Sequence, residues 1–169
     1  MEAGEEMTGY TPGELHPSAS LVVGIDPGAS GAIAVLTQEM ALRDFLLMPT
    51  YKIGKSSRVN VQAVADFLRR YQGADVSIEK VGAMPGQGVS SCFSFGHSAG
   101  TVEGIAAALC RSVTLVTPQQ WKKKAGLIGK DKDAARVRAC QLYPHEQTFH
   151  MKGKGQALAD AVLIARFGG

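Results

Sequence analysis

Three acids in this 169-residue chain stand where apolar runs meet turns or helix starts: Asp26, Glu79 and Asp160. Asp26 closes the run Leu21-Val22-Val23-Gly24-Ile25, and no Lys or Arg occurs from Leu21 through Leu42. A carboxylate beside a sheet interior is costly unless a cation neutralises it or its own backbone hydrogen-bonds it. A metal ion and a self-bonded turn Asp are therefore the two readings of this position. Gly24, Gly28 and Gly31 leave the surrounding backbone bare, which suits close approach of a phosphate-bearing ligand. Glu79 repeats the layout at the end of Asp75-Val76-Ser77-Ile78-Glu79, and Asp160 lies in the apolar run Gln156 to Phe167. A helix N-terminus favours an anion by about 0.3–1 kcal/mol, which offers Asp160 a purely structural role. Taken together, three such acids point to hard divalent cations. Mg²⁺ prefers oxygen ligands, and a pair of ions serves in-line phosphoryl transfer.

The elements that must carry these acids follow from periodicity. Leu21–Ile25 and Ala32–Leu36 are short, β-branched and separated by a Gly/Pro/Ser turn, so they predict a hairpin of buried strands. Ala41–Met48 predicts a third strand, and residues 51–58 a polar loop whose Lys52, Lys55 and Arg58 either face solvent or contact a DNA phosphate backbone. Val61, Val64, Phe67, Leu68 and Tyr71 recur at helical spacing, with Gly73 as the stop. Strand 75–79, a flexible loop over 81–91, a helix from about 91 to 111 and a buried strand at 113–116 come next. Thr117-Pro118-Gln119-Gln120 has the form of a capping box with Pro at the first helical position. A second helix spans 131–143, and an apolar one spans 156–167. The sum is an α/β domain with a central mixed sheet flanked by helices.

Residues 1–20 carry Glu2, Glu5, Glu6 and Glu14 with no Lys or Arg, in a Gly/Pro/Ser-rich, non-periodic stretch that reads as a mobile acidic tail. All 18 basic residues of the chain therefore face only the other 11 of its 15 acids within 21–169, the single domain. Seven cations (Lys122, Lys123, Lys124, Lys130, Lys132, Arg136 and Arg138) occur between 122 and 138 against two acids, which favours contact with nucleic acid over mere solubility. Lys152 and Lys154 extend this character. No run is long enough for a membrane span, and the first residues lack a signal-peptide layout. Cys92, Cys110 and Cys140, odd in number and without metal-like spacing, suit a cytoplasmic protein with reduced thiols. Gly96, Gly100 and Gly104 line one helix face, either for packing inside one subunit or for a symmetry mate.

Gly24-Ile25-Asp26-Pro27-Gly28, the strand-end Glu79, Val116-Thr117-Pro118 followed by Trp121-Lys122, and Ala159-Asp160-Ala161 resemble the RuvC Holliday-junction resolvases of the RNase H-like superfamily. The match runs from about Leu21 to the C-terminus. The stretches 84–91 and 93–96 look most like the branch encoded by phages and prophages of bacterial hosts. The resemblance implies an RNase H-like fold with a five-stranded sheet, and a homodimer that makes paired nicks in branched DNA, the four-way junction above all. It implies two Mg²⁺ (or Mn²⁺) ions per site, with Asp26 shared by both, Glu79 on one and Asp160 on the other. Hydrolysis would leave 5′-phosphate and 3′-hydroxyl ends.

Two departures stand out. Family members usually carry a further Asp or His three to five residues before the last acid, where this chain has Gly155, Gln156 and Ala157. Gln156 offers only an amide oxygen, and His150 or Lys154 would have to compensate from the loop. The expectation is weaker binding of one ion, a need for more metal or for Mn²⁺, or binding with little cleavage. Cellular members also place an aromatic shortly after the strand-end Glu, where Gly82 and Ala83 stand here. Phe93 and Phe95 are the nearest substitutes, although both read more readily as helix-core residues. Two rival readings are a non-catalytic binder of branched DNA and a nuclease acting on flaps or RNA. An actin-like ATPase or sugar kinase shares the Gly24–Gly31 loop type but needs a second phosphate loop and a second lobe, which nothing after Leu36 supplies.

Overall fold

A computed structural model describes residues 21–54, 56–83, 86 and 88–169. Strands β1 (Val22–Asp26), β2 (Ala32–Leu36) and β3 (Leu42–Leu47) form an antiparallel meander, while β6 (Asp75–Glu79) and β7 (Ser112–Val116) extend the sheet in parallel. The order is β3-β2-β1-β6-β7. This is the mixed five-stranded sheet that the periodicity predicts. The intervening β4 (Thr50–Ile53) and β5 (Ser56–Val59) make a separate two-stranded ribbon where the sequence reads as a polar loop. Its alternation is hidden because all four residues of β4 are exposed, so no apolar face marks it. Strand β7 is also a correction. It is the sheet edge, and only its last residue, Val116, is buried.

Helices cover both faces. Val23, Ile25, Val76 and Ile78 point to α1 (Val61–Arg69) and α2 (Val89–Leu109), forming a core with Phe67, Leu68, Val102 and Ala106. Asn60 caps α1 by accepting from the Ala63 N–H at 3.1 Å, and the helix ends at Arg69, before Gly73. On the other face α5 (Lys154–Phe167) lies along β1 and β2, and α4 (Ala134–Leu142) packs on it. The short 3₁₀ turn Gln147–His150 buries Phe149 beneath α5. Helix α3 (Pro118–Lys124) starts with the expected capping box: the Thr117 hydroxyl accepts from Gln120 N–H, and the Gln120 carbonyl accepts from Thr117 N–H. Among the described residues no helix is long and apolar enough to cross a membrane.

One contact organises the site. A Cβ on Gly24 would lie 2.1 Å from the Ala161 carbonyl oxygen and 2.2 Å from the Ala165 nitrogen. Glycine there lets α5 rest directly on β1, with Asp160 one residue before the contact. Gly24 thus serves helix packing and offers no open approach for a phosphate. Gly31 is likewise occupied, since its Cβ would meet the backbone and carboxyl carbon of Asp26.

Candidate active site: three carboxylates where β1, β6 and α5 meet

Alternation along β1 puts Val22, Gly24 and Asp26 on the α5 side, because Val23 and Ile25 fill the opposite core. In β6 the same rule turns Ser77 and Glu79 toward α5, and Ser77 touches the helix end at Gly168. The parallel register pairs Ile25 with Ile78, so Asp26 and Glu79, the next residues, close adjacent strands side by side. Asp160 joins them from the second turn of α5. All three acids are partly buried, and among the described residues none takes part in a salt bridge. Asp75, on the same strand face as Glu79, sits at the other end and is held by Arg111 and Ser112.

Electrostatics binds the three into one cluster. Burial raises the Asp26 pKa against a bond from the Gly28 N–H at 3.3 Å. Burial also raises Glu79, opposed by a bond from Trp121, and the Asp26 charge raises it further. Asp160 is pushed up to about 6 by burial and then by the charges of Asp26 and Glu79, while its Gln156 bond and Lys122 act the other way. Carboxylates packed this closely resist common ionisation unless a cation joins them.

Two positioning side chains support the acids. Trp121, 0% exposed, donates its indole N–H to Glu79 Oε2 at 2.7 Å. That bond was not anticipated, although Trp121 directly follows the legible capping box. Gln156 donates its amide N–H to Asp160 Oδ1 at 3.0 Å, and its own Oε1 is buried without a hydrogen-bond partner among the described residues. The amide cannot turn around while Asp160 is ionised, because oxygen would then face oxygen. An orphaned buried oxygen beside unpaired carboxylates is a donor set suited to a hard cation. Among the described residues no group of three or more His, Cys, Asp or Glu side chains forms a ready-made cage around one ion.

A cleft of about 290 Å³ opens beside Asp160 and Gln156, lined also by Lys122, Lys130, Asp131 and Lys132. Three of the candidate DNA-contacting cations thereby share a cleft with Asp160, whereas Asp26 and Glu79 do not line it. Lys154 lines a different cleft with Ser30 and Gly31 on the Asp26 turn, and exposed Lys152 is two residues away. Lys123 is exposed, whereas Lys124 is engaged with the Gly169 carbonyl. Lys52 and Arg58 lie on the β4–β5 ribbon, and Lys55 falls outside the described residues. His150 is exposed and does not line the acid cleft. A larger cavity of about 660 Å³, around Met40 and Tyr143, contains none of the three acids. Phe93 corrects the helix-core expectation: it is 65% exposed. Phe95 is half-buried with its ring edge toward Gly28.

No protein-family model matches the sequence, and no curated protein matches it. Solved structures do match in fold. A Thermus thermophilus RuvC in complex with a Holliday junction substrate is 18% identical, with a TM-score of 0.57 over 86% of this chain and 90% of that one. A second T. thermophilus RuvC structure is 17% identical, with a TM-score of 0.54 over 88% of this chain and 96% of that one. The described domain therefore has the RuvC-like, RNase H-like fold, a mixed five-stranded sheet flanked by helices.

Proposed function

We propose that the protein is a structure-selective endonuclease that hydrolyses phosphodiesters in Holliday junctions and other branched DNA. The observation that carries this reading is the meeting of Asp26, Glu79 and Asp160, unpaired and partly buried, beside a lysine-lined cleft on a RuvC-like fold. Asp26, between the other two, would hold both of two Mg²⁺ or Mn²⁺ ions, with Glu79 on one and Asp160 on the other. Divalent cations bound there supply Lewis acidity toward the scissile phosphate and offset the charge that develops on it.

The chain's own groups do the rest. Trp121 holds one Glu79 oxygen and leaves the other for a ligand. The Gly28 N–H steadies Asp26, and Gln156 fixes the rotamer of Asp160. Lys122 lowers the cost of ionising Glu79 and Asp160 together. Lys130 and Lys132 place positive charge where a DNA backbone would enter the cleft.

A homodimer belongs to the same reading. Added Cβ atoms on Gly96, Gly100 and Gly104 would meet nothing within 4 Å among the described residues, so these glycines serve no packing against them. A bare, exposed helix face of this kind suits a second copy. A site of action in the bacterial cytoplasm, for a phage or prophage product, follows from the sequence resemblance alone. The uncharged Gly155-Gln156-Ala157 stretch favours a second reading, a branched-DNA binder with weak or no cleavage.

The deciding experiment is nicking of a four-way junction and a linear duplex in Mg²⁺ and in Mn²⁺, with Asp26→Asn alongside. Wild type is expected to cut the junction, and the variant to lose cleavage while binding as well or more tightly. A variant that nicks at the wild-type rate removes the metal assignment. Tight junction binding by a wild type that never cuts leaves the binder.

A further inference from the structure

Glu79 and Asp160, the acids assigned to one ion each, share a feature that phosphodiester hydrolysis as such does not require. Each has one carboxylate oxygen engaged by a side-chain N–H: Glu79 Oε2 by the Trp121 indole at 2.7 Å, and Asp160 Oδ1 by the Gln156 amide at 3.0 Å. Asp26 receives only a backbone bond of 3.3 Å. Trp121 is the stiffer of the two donors. It is 0% exposed and packs in a core with Val116, Ala125 and Ala135, and with Leu163 and Ile164 on the turn of α5 that follows Asp160. The Lys122 ammonium lies 5.2 Å from the centroid of its ring.

A bond of this kind does more than hold a rotamer. A carboxylate serves a hard cation with one oxygen or chelates it with both, and that choice separates two classes of ion. Ca²⁺ takes about six to eight oxygens in flexible geometry, often through chelating carboxylates, whereas Mg²⁺ demands a near-ideal octahedron and keeps several waters. The indole N–H draws on Oε2 and fixes the plane of the Glu79 carboxyl group. Chelation by Glu79 competes with that buried hydrogen bond, and losing the bond leaves a desolvated N–H without an acceptor, which is costly. Ligation through Oε1 alone leaves the bond intact.

We infer that Trp121 is a positioning residue that sets metal selectivity: it holds Glu79 to one-oxygen ligation and so favours Mg²⁺ and Mn²⁺ over Ca²⁺. Gln156 places the same restraint on Asp160 through a less deeply buried side chain. The inference rests on the proposed metal site and adds to it a reason for an indole, where a purely apolar side chain would fill the core equally well.

The test uses the full chain without DNA and the electron paramagnetic resonance signal of free Mn²⁺, with Mg²⁺ and Ca²⁺ as competitors. Wild type is expected to bind Mn²⁺, and Asp26→Asn to abolish that binding. Trp121→Phe keeps an aromatic ring but has no N–H. It should raise the potency of Ca²⁺ relative to Mg²⁺ as a competitor by about tenfold, the lower end of the effect of outer-shell partners on metal affinity. Trp121 is the single tryptophan of the chain, so supplying 3-benzothienylalanine in place of tryptophan alters this ring alone. Its sulfur stands where the N–H was and its shape is kept, so the same shift is expected even if Trp121→Phe fails to fold. A structural role for the indole would weaken all three ions in proportion. An unchanged ratio of Ca²⁺ to Mg²⁺ potency therefore overturns the inference and leaves the metal site in place. Mn²⁺ binding that survives Asp26→Asn removes the metal site itself, and the inference with it.

Discussion

At the scale of single residues, Gln156 offers the sharpest test of the proposed metal site. It spends one end of its amide on Asp160 and leaves the other buried and unbonded. A carboxylate at that position adds charge where solvent screens it little. Gln156→Asp is therefore expected to lower the Mg²⁺ concentration for half-maximal junction cleavage by about three- to tenfold, with DNA affinity nearly unchanged. Parallel metal titrations on one junction measure this. An unchanged requirement would mean that the amide oxygen already completes the site. The pKa of Asp160 supplies a second expectation. Its folded value, about 6, lies above the ordinary 3.8, so the metal-free folded state binds more protons than the unfolded chain between those limits. Stability without metal should fall as pH rises from about 4 to above 6, the sign opposite to that of a salt-bridged acid. Mn²⁺ should reverse the loss, more strongly at pH 7 than at pH 5. Melting curves across that range, with and without Mn²⁺, would expose an error as a flat or rising metal-free profile.

At the scale of elements, α2 carries the clearest structural question. It carries a single acid, Glu103, and its exposed residues include Val89, Phe93 and the three glycines. Interior glycines weaken a helix by about 1 kcal/mol each relative to alanine, so a stripe of them needs a close neighbour. Gly100→Leu has open space in the monomer and should fold, but it is expected to yield monomers in sedimentation velocity. A folded dimeric variant would move the interface elsewhere. The same helix shows what could be read without coordinates. The acids at strand ends were legible because strand alternation and a terminal position are local facts. The stripe was visible, but not whether its neighbour lay inside the subunit, because that depends on where α2 lands. Trp121 and Gln156 were equally hidden as partners of Glu79 and Asp160: the first pair is 42 residues apart in sequence, and the second needs a rotamer. The β4–β5 ribbon escaped because a strand exposed along its whole length has no hydrophobic period to detect.

At the scale of the whole molecule, charge placement separates the lysines that line the Asp160 cleft from those that do not. Lys122, Lys130 and Lys132 line the cleft that holds Asp160. Lys124, close by in sequence, does not line that cleft and donates to the Gly169 carbonyl. A cation that meets a DNA phosphate releases a counterion, and the salt dependence of binding counts such contacts at about 0.9 per phosphate. The double variant Lys130→Gln/Lys132→Gln is therefore expected to bind a four-way junction more weakly at low salt and to lower the log–log salt slope by about 2. Lys124→Gln should leave the slope within about 0.3 of wild type, since the lysine it replaces is committed elsewhere. Binding isotherms at several salt concentrations in EDTA give all three slopes on one substrate. Equal falls for the cleft and control variants would show that the molecule attracts DNA by net charge alone, with no directed entry past Asp160. A fall confined to the cleft variant ties the approach of the backbone to the same groove that presents the acids. Binding and hydrolysis would then share one geometry.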